Sequence, residues 1–335
     1  MDFVKKFLED PTAAIRKRKK EINTATAIAA YIFRVLILLA IGYIIIYPLF
    51  YMIMTSLRDR ESFYTSARVW IPSSIDPVFN YTTAMEATKF WKAFWATISR
   101  EMVAAVIEIV TCSIVAYGFA RFKFKLKPVL IACLFITILV PETMIIIPRS
   151  VTYSNVDFFG ILGLIERIVP IENFDITINL MEENKNILAF WLPSLFAMGL
   201  RSGILIYIYI QFFKGLPYEL EEASWVDGAG PIRTFVSIAL PSSSVVFTTV
   251  TVFSVIWHWN DTLLASMYMK DNYPLAVQLE RIYTSLASRG LYWTDPNTMS
   301  IMMAGCFLFI LPMLIFYMIL QRRFIESIDR VGITG

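Results

Sequence analysis

The segment 219–241 is the part of the chain whose residue types and spacing most clearly predict a chemical role. It reads ELEEASWVDGAGPIRTFVSIALP and forms a polar island between two long apolar runs. The glutamates at its start favour the positive end of a helix dipole, which predicts a short helix. Asp227 and Gly228 then predict a turn, because glycine readily adopts a positive φ angle. An acidic helix followed by an ordered turn indicates a surface that docks a partner. A merely solvated helical face is the alternative.

Several charged residues lie inside the apolar runs, among them Arg100, Glu101, Glu108 and Arg201. A charge at the bilayer centre costs about 2.5–3.5 kcal/mol on insertion scales, so such residues are expected to face a cavity or to pair. Glu108 and Arg201 each lie about halfway along their run. We predict that they form an ion pair, either as a structural lock or as part of a polar translocation path. Arg100 and Glu101 lie near the outer end of their run and are predicted to reach the interface.

An aromatic and polar stretch, Trp257-His258-Trp259-Asn260-Asp261, closes the fifth apolar run. Tryptophans at such a position are typical of the aromatic belt at the lipid headgroups. Asn260 and Asp261 are predicted to face the interior of the bundle and to contribute to the translocation path. His258 is predicted to be an interfacial polar residue rather than a metal ligand, because no second histidine or cysteine is near it in sequence.

Catalytic and nucleotide-binding chemistry has little support in the sequence. The chain has one histidine, and its three cysteines lie in separate apolar runs without metal-ligand spacing. It contains no Gly-x-x-x-x-Gly-Lys-Ser/Thr phosphate loop, no His-Glu-x-x-His motif and no Gly-x-Ser-x-Gly motif. We therefore predict that the chain is not an enzyme, holds no metal or cofactor of its own, and binds no nucleic acid.

Membrane-spanning helices must position these residues. The chain has 335 residues, of which 57% are hydrophobic and 17% charged, whereas a soluble domain carries roughly 25% charged residues. The basic start of the chain is followed by no small-residue cleavage site, so a signal peptide is not predicted. We predict an all-α integral membrane protein with six spans of about 20 residues or more. The predicted spans are 35–57, 93–119, 129–149, 187–213, 241–264 and 299–320.

The distribution of charge predicts the orientation of this bundle. The link 121–127 carries four basic and no acidic residues, whereas 150–186 carries six acidic and two basic residues. By the positive-inside rule, both termini and the loop 214–241 are cytoplasmic. The predicted organisation is a basic N-terminal segment (1–34), a six-span domain (35–320) and a C-terminal tail (321–335). An outer insertion at about 160–186 is predicted to be a variable surface element, with partner contact as the alternative.

The spacing within 219–241 also resembles a known signature. Glu222-Ala223-Ser224, then Asp227-Gly228-Ala229, then Ile238 and Leu240-Pro241 are similar to the EAA–G–I-LP loop of ABC importer permeases, with Ser224 in place of the second alanine. Other stretches resemble the carbohydrate-uptake, maltose-type branch of that family. They are AYGFARFKF at 116–124, PETMIIIP at 141–148, WHWND at 257–261 and LQRRF at 320–324.

The resemblance implies a six-helix bundle of the type I importer permease kind, with a cytoplasmic coupling helix, in the plasma or inner membrane. It implies a second homologous permease subunit, two ATPase subunits that bind ATP and Mg²⁺, an extracellular solute-binding protein and surrounding lipid. The residues predicted to dock the ATPase subunits are Glu219, Glu221, Glu222, Ala223, Ser224, Asp227, Gly228, Ala229, Ile238, Leu240 and Pro241.

Three other functions stay open as alternatives. A permease of the same kind for a non-sugar solute would carry the same loop. An ion-coupled secondary transporter would show inverted repeats, broken helices and midplane ion ligands, and it leaves the pattern in 219–241 unexplained. A membrane-embedded enzyme would need a cluster of catalytic or metal-binding residues.

Overall fold

The computed structural model describes residues 11–65, 71–154, 179–182 and 186–332. These residues are mainly helical, and the only β-pairing among them is an isolated bridge between Arg58 and Ile75. The predicted outer insertion at about 160–186 lies outside the described residues, apart from 179–182 and 186. The helices, numbered in chain order, are α1 (Pro11–Leu57), α2 (Arg60–Thr65), α3 (Pro77–Ala87), α4 (Phe90–Arg121), α5 (Lys127–Leu139), α6 (Glu142–Ser154), α7 (Asn186–Leu195), α8 (Ser202–Gly215), α9 (Glu219–Val226), α10 (Pro231–Ser242), α11 (Ser244–Trp259), α12 (Leu263–Tyr268), α13 (Leu275–Glu280), α14 (Ile282–Ala287) and α15 (Pro296–Gly332).

Three helices in the described part of the chain are long and apolar enough to cross a membrane by themselves. They are the Thr26–Leu57 part of α1, all of α4, and the Pro296–Gln321 part of α15. They contain most or all of the first, second and sixth predicted spans. Each exceeds the approximately 20 residues that a helix needs to cross the hydrocarbon core.

The third predicted span, 129–149, is built from two helices that meet at an angle, and a second such angle lies at the start of the fifth predicted span. Helices α5 and α6 are bent by 103° around Pro141, which has no N–H to donate and disfavours helix at the residue before it. Helices α10 and α11 are bent by 81° at Ser243, shortly after Pro241. The third span is therefore broken rather than the single apolar helix that the sequence suggested, whereas α10 precedes the fifth span, whose main helix is α11.

The fourth predicted span is broken as well. Helix α7 ends two residues after Pro193, and α8 begins only at Ser202. Between them, Ala197 and Arg201 have positive φ angles of 54° and 58°. Residues with a Cβ atom rarely adopt this conformation, because it brings Cβ too close to the following carbonyl oxygen. The sequence did not predict this interruption, because the residues on both sides of it form one continuous apolar run.

Helix α4 lies at the centre of the bundle and packs against α7, α8 and α11. Its Ala104, Ala105 and Ala116 are fully buried, and such small side chains let membrane helices approach closely. Leu205 and Val250 complete the core on α8 and α11. Helix α1, by contrast, packs mainly against α15, and the most apolar window of its span has no buried residue within this chain.

Candidate functional site

The segment 219–241, here called the docking segment, begins as a short helix closed by a glycine turn. The N–H of Gly228 donates to the carbonyl of Trp225 over 2.9 Å, and the N–H of Ala229 donates to the carbonyl of Ser224 over 3.0 Å. Together with the φ angle of 80° at Gly228, these bonds form a Schellman cap, which satisfies carbonyl groups at a helix end. The predicted turn at Asp227 and Gly228 is therefore present as an ordered helix terminus.

A hydroxyl pair holds the two halves of the docking segment together. The side-chain oxygens of Ser224, on α9, and Thr234, on α10, lie 3.1 Å apart, and both residues are buried. Ser224 therefore faces the second half of the segment rather than its free surface. Because α10 leads into α11, this contact connects α9 to the start of the fifth span.

A buried ion pair connects α9 to the end of α4. Glu221 Oε1 lies 2.8 Å from Arg121 Nε, and both side chains are only 2% exposed. Arg121 also donates from Nη2 to the carbonyl of Leu216 over 2.9 Å and lies over the ring of Tyr218 at 4.4 Å from its centroid. From the sequence, Arg121 was part of the basic 121–127 link and of the family-like stretch at 116–124, but nothing in the spacing of two residues 100 positions apart indicates contact.

The remaining surface of the docking segment combines acidic and apolar side chains. Trp225, Val226 and Ile232 are 47%, 88% and 81% exposed, and an exposed apolar patch with a polar rim is typical of an interaction site. Ala229, Ile238 and Leu240 are half-buried along the route to the fifth span, where Pro241 is exposed. The other predicted docking residues that are exposed are Glu219, Glu222, Ala223, Asp227 and Gly228.

A second group of polar residues is buried between α4 and α11. His258 Nδ1 lies 3.0 Å from Glu101 Oε2, and His258 Nε2 lies 2.9 Å from Glu108 Oε2. Glu108 also accepts hydrogen bonds from the hydroxyls of Ser202 and Ser254. Glu101, Glu108 and His258, here called the charged cluster, are at most 3% exposed. The cluster joins the second span to the fifth, while Ser202 brings the start of α8 to the same place.

The ion pair that was predicted between Glu108 and Arg201 is wrong. Glu108 is bound by His258 and the two serines, whereas the Arg201 guanidinium lies over the ring of Trp257 at 5.0 Å. The backbone N–H of Arg201 donates to Glu142 Oε1 over 3.3 Å. Arg201 is exposed because it lies in the interruption of the fourth span, where its side chain leaves the bundle interior.

Two further predictions of location are also wrong. Glu101 and His258 were expected at the membrane interface, but both are buried in the charged cluster. The reason is register: a π-helical turn, Ile98–Met102, carries Glu101, and Glu108 follows seven residues later, which is about two helical turns. Both carboxylates thus lie on one face of α4. Arg100, the neighbouring residue, is half-buried and donates from Nε to Asn186 Oδ1 over 3.2 Å.

The two polar residues that follow His258 have different surroundings. Asp261 is buried and accepts hydrogen bonds from the backbone N–H groups of Leu264 and Ala265, so it caps α12. Asn260 is exposed on this chain, and its amide donates to the carbonyl of Ile256 over 2.8 Å. Within the described residues, no group of three or more His, Cys, Asp and Glu side chains is arranged to hold a metal ion.

Comparison with known proteins agrees with this architecture. Residues 108–330 match the family of binding-protein-dependent transport system inner membrane components. The chain belongs to this family. The predicted membership among ABC importer permeases is confirmed, and with it a multi-pass location in the membrane. The match includes Glu108, the docking segment and His258.

Two relatives and one solved structure extend the comparison. The alpha-glucoside transport system permease protein AglG of Rhizobium meliloti is 27% identical over 272 residues, which are 80% of this chain and 64% of that protein. The osmoprotective compounds uptake permease protein GgtD of Synechocystis is 27% identical over 300 residues, covering 87% of this chain and 88% of that protein. A bacterial ABC transporter involved in the import of the acidic polysaccharide alginate contains a chain of similar fold, with a TM-score of 0.64, 17% identity, and coverage of 88% of this chain and 95% of that one. The predicted all-α permease fold is thereby confirmed.

Proposed function

We propose that this permease forms half of the translocation path of an ATP-driven importer and that its solute is a carbohydrate. The structural observation that supports the coupling role most is the docking segment. One side of α9 is fixed to the chain by the Arg121–Glu221 ion pair, while its other side exposes acidic and apolar residues. The carbohydrate assignment is supported by the names of relatives such as the alpha-glucoside permease.

The docking segment has the connections that a coupling element needs. A partner bound to Glu219, Glu222 and the exposed apolar residues would act on α9. The ion pair at Glu221 would pass a displacement to α4, and the hydroxyl pair at Ser224 would pass it to α10 and α11. Two ATPase subunits would bind ATP and Mg²⁺ and supply this displacement, since the chain itself would catalyse no reaction. Interfaces that repack in this way are a common mechanism of alternating access.

The other partners would cover the remaining surfaces. A second, homologous permease and lipid would surround the exposed apolar side of α1, and a solute-binding protein would deliver the solute from outside. Residues of the predicted path, Glu108 and Asp261, are buried within this chain, whereas Arg201 and Asn260 are exposed and available to a second permease. We place the docking segment and both termini in the cytoplasm.

A non-sugar solute is the second candidate. It is favoured by the similarity to a permease whose name specifies osmoprotective compounds, a class that includes non-sugars such as betaines as well as sugars, and which matches a slightly larger part of this chain than the alpha-glucoside permease does. Both candidates share the same coupling chemistry, so the choice between them depends on uptake rather than on the architecture of the docking segment.

The test combines purification with uptake. Tagged chain is purified from native membranes, the co-purifying proteins are identified by mass spectrometry, and the complex is reconstituted in liposomes with its binding protein. Uptake of maltose, raffinose and glycine betaine is measured with and without ATP. We expect a second permease and an ATPase to co-purify and a sugar to accumulate only with ATP. Accumulation of glycine betaine alone would replace the carbohydrate assignment. A lone chain driven by an ion gradient would refute the importer function.

A matched pair of variants at Gly228 tests the coupling role in the same assay. Gly228→Val forces a β-branched residue into a positive φ angle, which costs about 1–3 kcal/mol, whereas asparagine tolerates this conformation. We expect Gly228→Val to lower ATP-driven uptake at least tenfold in an inserted chain and Gly228→Asn to retain most of it. Equal uptake by the two variants would contradict a coupling role for this turn.

A further inference from the structure

We propose that Glu101, Glu108 and His258 are positioning residues for transport, because the charged cluster latches α4 to α11. The two helices would then move as one body when the docking segment is displaced. The inference rests on the proposed function, since it concerns the motion that ATP hydrolysis would drive. It adds a specific mechanical unit, made of the second span and the outer half of the fifth.

The geometry of the cluster specifies one arrangement of the two helices. His258 uses both ring nitrogens, one toward each carboxylate, at 3.0 and 2.9 Å. A hydrogen bond weakens steeply when its angle or length departs from these values. A slide of α11 along α4 by one helical turn, about 5.4 Å, would break both contacts at once. The cluster therefore fixes the position of α11 along α4 as well as the distance between the two helices.

Glu108 adds constraints from two other directions. Ser202, at the start of α8, and Ser254, on α11, both donate to its carboxylate. A methyl group in place of the Gly199 hydrogen would lie 2.7 Å from Glu108 Oε1, so the interrupted backbone of the fourth span also packs directly against this side chain. Rotation of Glu108 away from His258 is thus opposed on several sides.

A second connection lies at the other end of α4 and joins that helix to the docking segment. Arg121 ends that helix and pairs with Glu221 of the docking segment. Glu101 and Arg121 are 20 residues apart in the sequence, which corresponds to about 30 Å of helix. The attachment to α11 and the attachment to α9 thus lie near opposite ends of this part of α4. The helix α4 is consequently fixed both to the point where the partner would act and to the outer half of the fifth span.

Stability alone is an incomplete explanation for these buried charges. Replacing a buried ion pair by well-packed apolar residues is often neutral or stabilising, because desolvation of the charges offsets their attraction. The α4 interface is already closely packed through Ala104 and Ala105. A network in which every contact depends on geometry instead selects a single register, and that is the property a rigid mechanical unit requires.

Distance measurements in the assembled complex test the proposal without knowledge of the solute. Spin labels are attached at Ile114 on α4 and Phe253 on α11, which are 53% and 41% exposed, after the native cysteines are replaced by alanine. Distances are measured in nanodiscs in the resting complex and after trapping with ATP and orthovanadate. We expect the distance to change by less than about 2 Å, the size of ordinary helix shifts. A change of a full turn, about 5 Å or more, would overturn the latch.

Variants of the cluster supply the converse test. His258→Gln is expected to let the labels separate on trapping. In liposomes supplied from outside with maltose, raffinose or glycine betaine, it is also expected to raise the ATP hydrolysed per molecule of solute taken up at least tenfold. A triple variant, Glu101→Met, Glu108→Met and His258→Leu, removes every charge together and serves if the single variant does not assemble. The control is Glu86→Gln, because Glu86 forms an exposed pair with Arg289. Label distances in the triple variant that match those of the parent in both states would refute the proposal.

The outcomes separate the latch from the proposed function. If the parent complex traps no nucleotide and contains no ATPase, the importer function fails and the label distances are irrelevant to it. If the parent complex traps nucleotide but its labels separate by a full turn, the importer function stands and the latch is wrong. A fixed distance in the parent together with separation in His258→Gln supports both.

Discussion

Arg121 and Glu221 form a buried ion pair in which the loss of either charge is expected to destabilise the contact between α4 and α9. They lie at the end of α4 and on the inner side of α9, are both buried, and are within 2.8 Å of each other. Removing one partner of such a pair leaves an uncompensated buried charge, which is far more costly than removing an exposed one. The neighbouring Glu222 points to solvent. Adjacent glutamates of one helix thus have different surroundings: Glu221 is fixed to α4, and Glu222 is exposed, where we propose that it contacts a partner.

Neutralising these two glutamates separately should show the difference. Glu221→Gln is expected to lower the free energy of unfolding by about 3–5 kcal/mol, because Arg121 stays buried without a counter-charge. Glu222→Gln should change it by less than about 0.5 kcal/mol, as is usual at exposed positions. Thermal unfolding of the purified chain in detergent, followed by tryptophan fluorescence, measures both. Similar midpoints for the two variants would contradict the importance of the buried pair.

At single residues, the sequence predicted backbone conformation correctly, but it did not predict which side chains contact each other across helices. The positive φ angle of Gly228 followed from the turn chemistry of Asp-Gly and is present. The partner of Glu108 did not follow, because His258 is 150 positions away and sequence order does not specify which helices are neighbours. Position within an apolar run suggested Arg201 instead, and an interruption of that run turned Arg201 outward.

Among the elements, the fourth span departs most from a regular helix. Its interruption between α7 and α8 places two residues with Cβ atoms at positive φ angles and brings Gly199 against Glu108. Backbone strain of this kind costs about 1–3 kcal/mol per residue and persists only where the surroundings impose it. Here the surroundings include the carboxylate of Glu108 and the hydroxyl of Ser194, which leave space for a glycine alone.

A methyl group added at Gly199 should therefore destabilise the bundle. Its Cβ would lie 2.7 Å from both Glu108 Oε1 and Ser194 Oγ, and overpacking of this kind typically costs about 1–3 kcal/mol. Gly42→Ala is the control, because a Cβ there would meet nothing within 4 Å and alanine stabilises a helix interior by up to about 1 kcal/mol. Thermal unfolding in detergent should show a lower midpoint for Gly199→Ala only. A lower midpoint for both variants would indicate a general sensitivity of the helices.

Hydropathy located the apolar runs but did not reveal how they bend. The runs 35–57, 93–119 and 299–320 each lie within a single long helix. The runs around Pro141, Pro193 and Pro241 became angled pairs or broken helices. Proline marks such sites, yet Pro48 and Pro312 lie inside continuous helices. Neighbouring helices that supply hydrogen-bond partners decide the outcome, and these are invisible in a single sequence.

At the scale of the whole molecule, the chain has a well-packed side and an uncovered side. Helix α4 and its neighbours form the buried core, while the exposed span of α1 presents apolar residues around most of its circumference. Such a surface suits lipid or another membrane subunit. In the proposed orientation, the 121–127 link and the docking segment would lie on the cytoplasmic side, and α13 and α14 would lie on the outer side.

Cysteine labelling should report this orientation directly. Lys125 lies in the basic link, and Trp293 lies beyond α14; both are exposed. With the native cysteines replaced by alanine, Trp293→Cys should react with a membrane-impermeant maleimide in intact cells. Lys125→Cys should react only after the membrane is permeabilised. The opposite pattern would invert the topology and would place the docking segment outside the cell, out of reach of any cytosolic ATPase.

The contact between His258 and the two carboxylates also determines when, during translation, the charged cluster can form. Glu101 and Glu108 leave the ribosome 157 and 150 residues before their histidine. At about 5–20 residues per second, the delay is roughly 8–30 s. During this time the second span carries two acidic groups whose final partner has not been translated. The charged cluster can therefore form only after His258 in the fifth span has been translated, when nearly four fifths of the chain has been made.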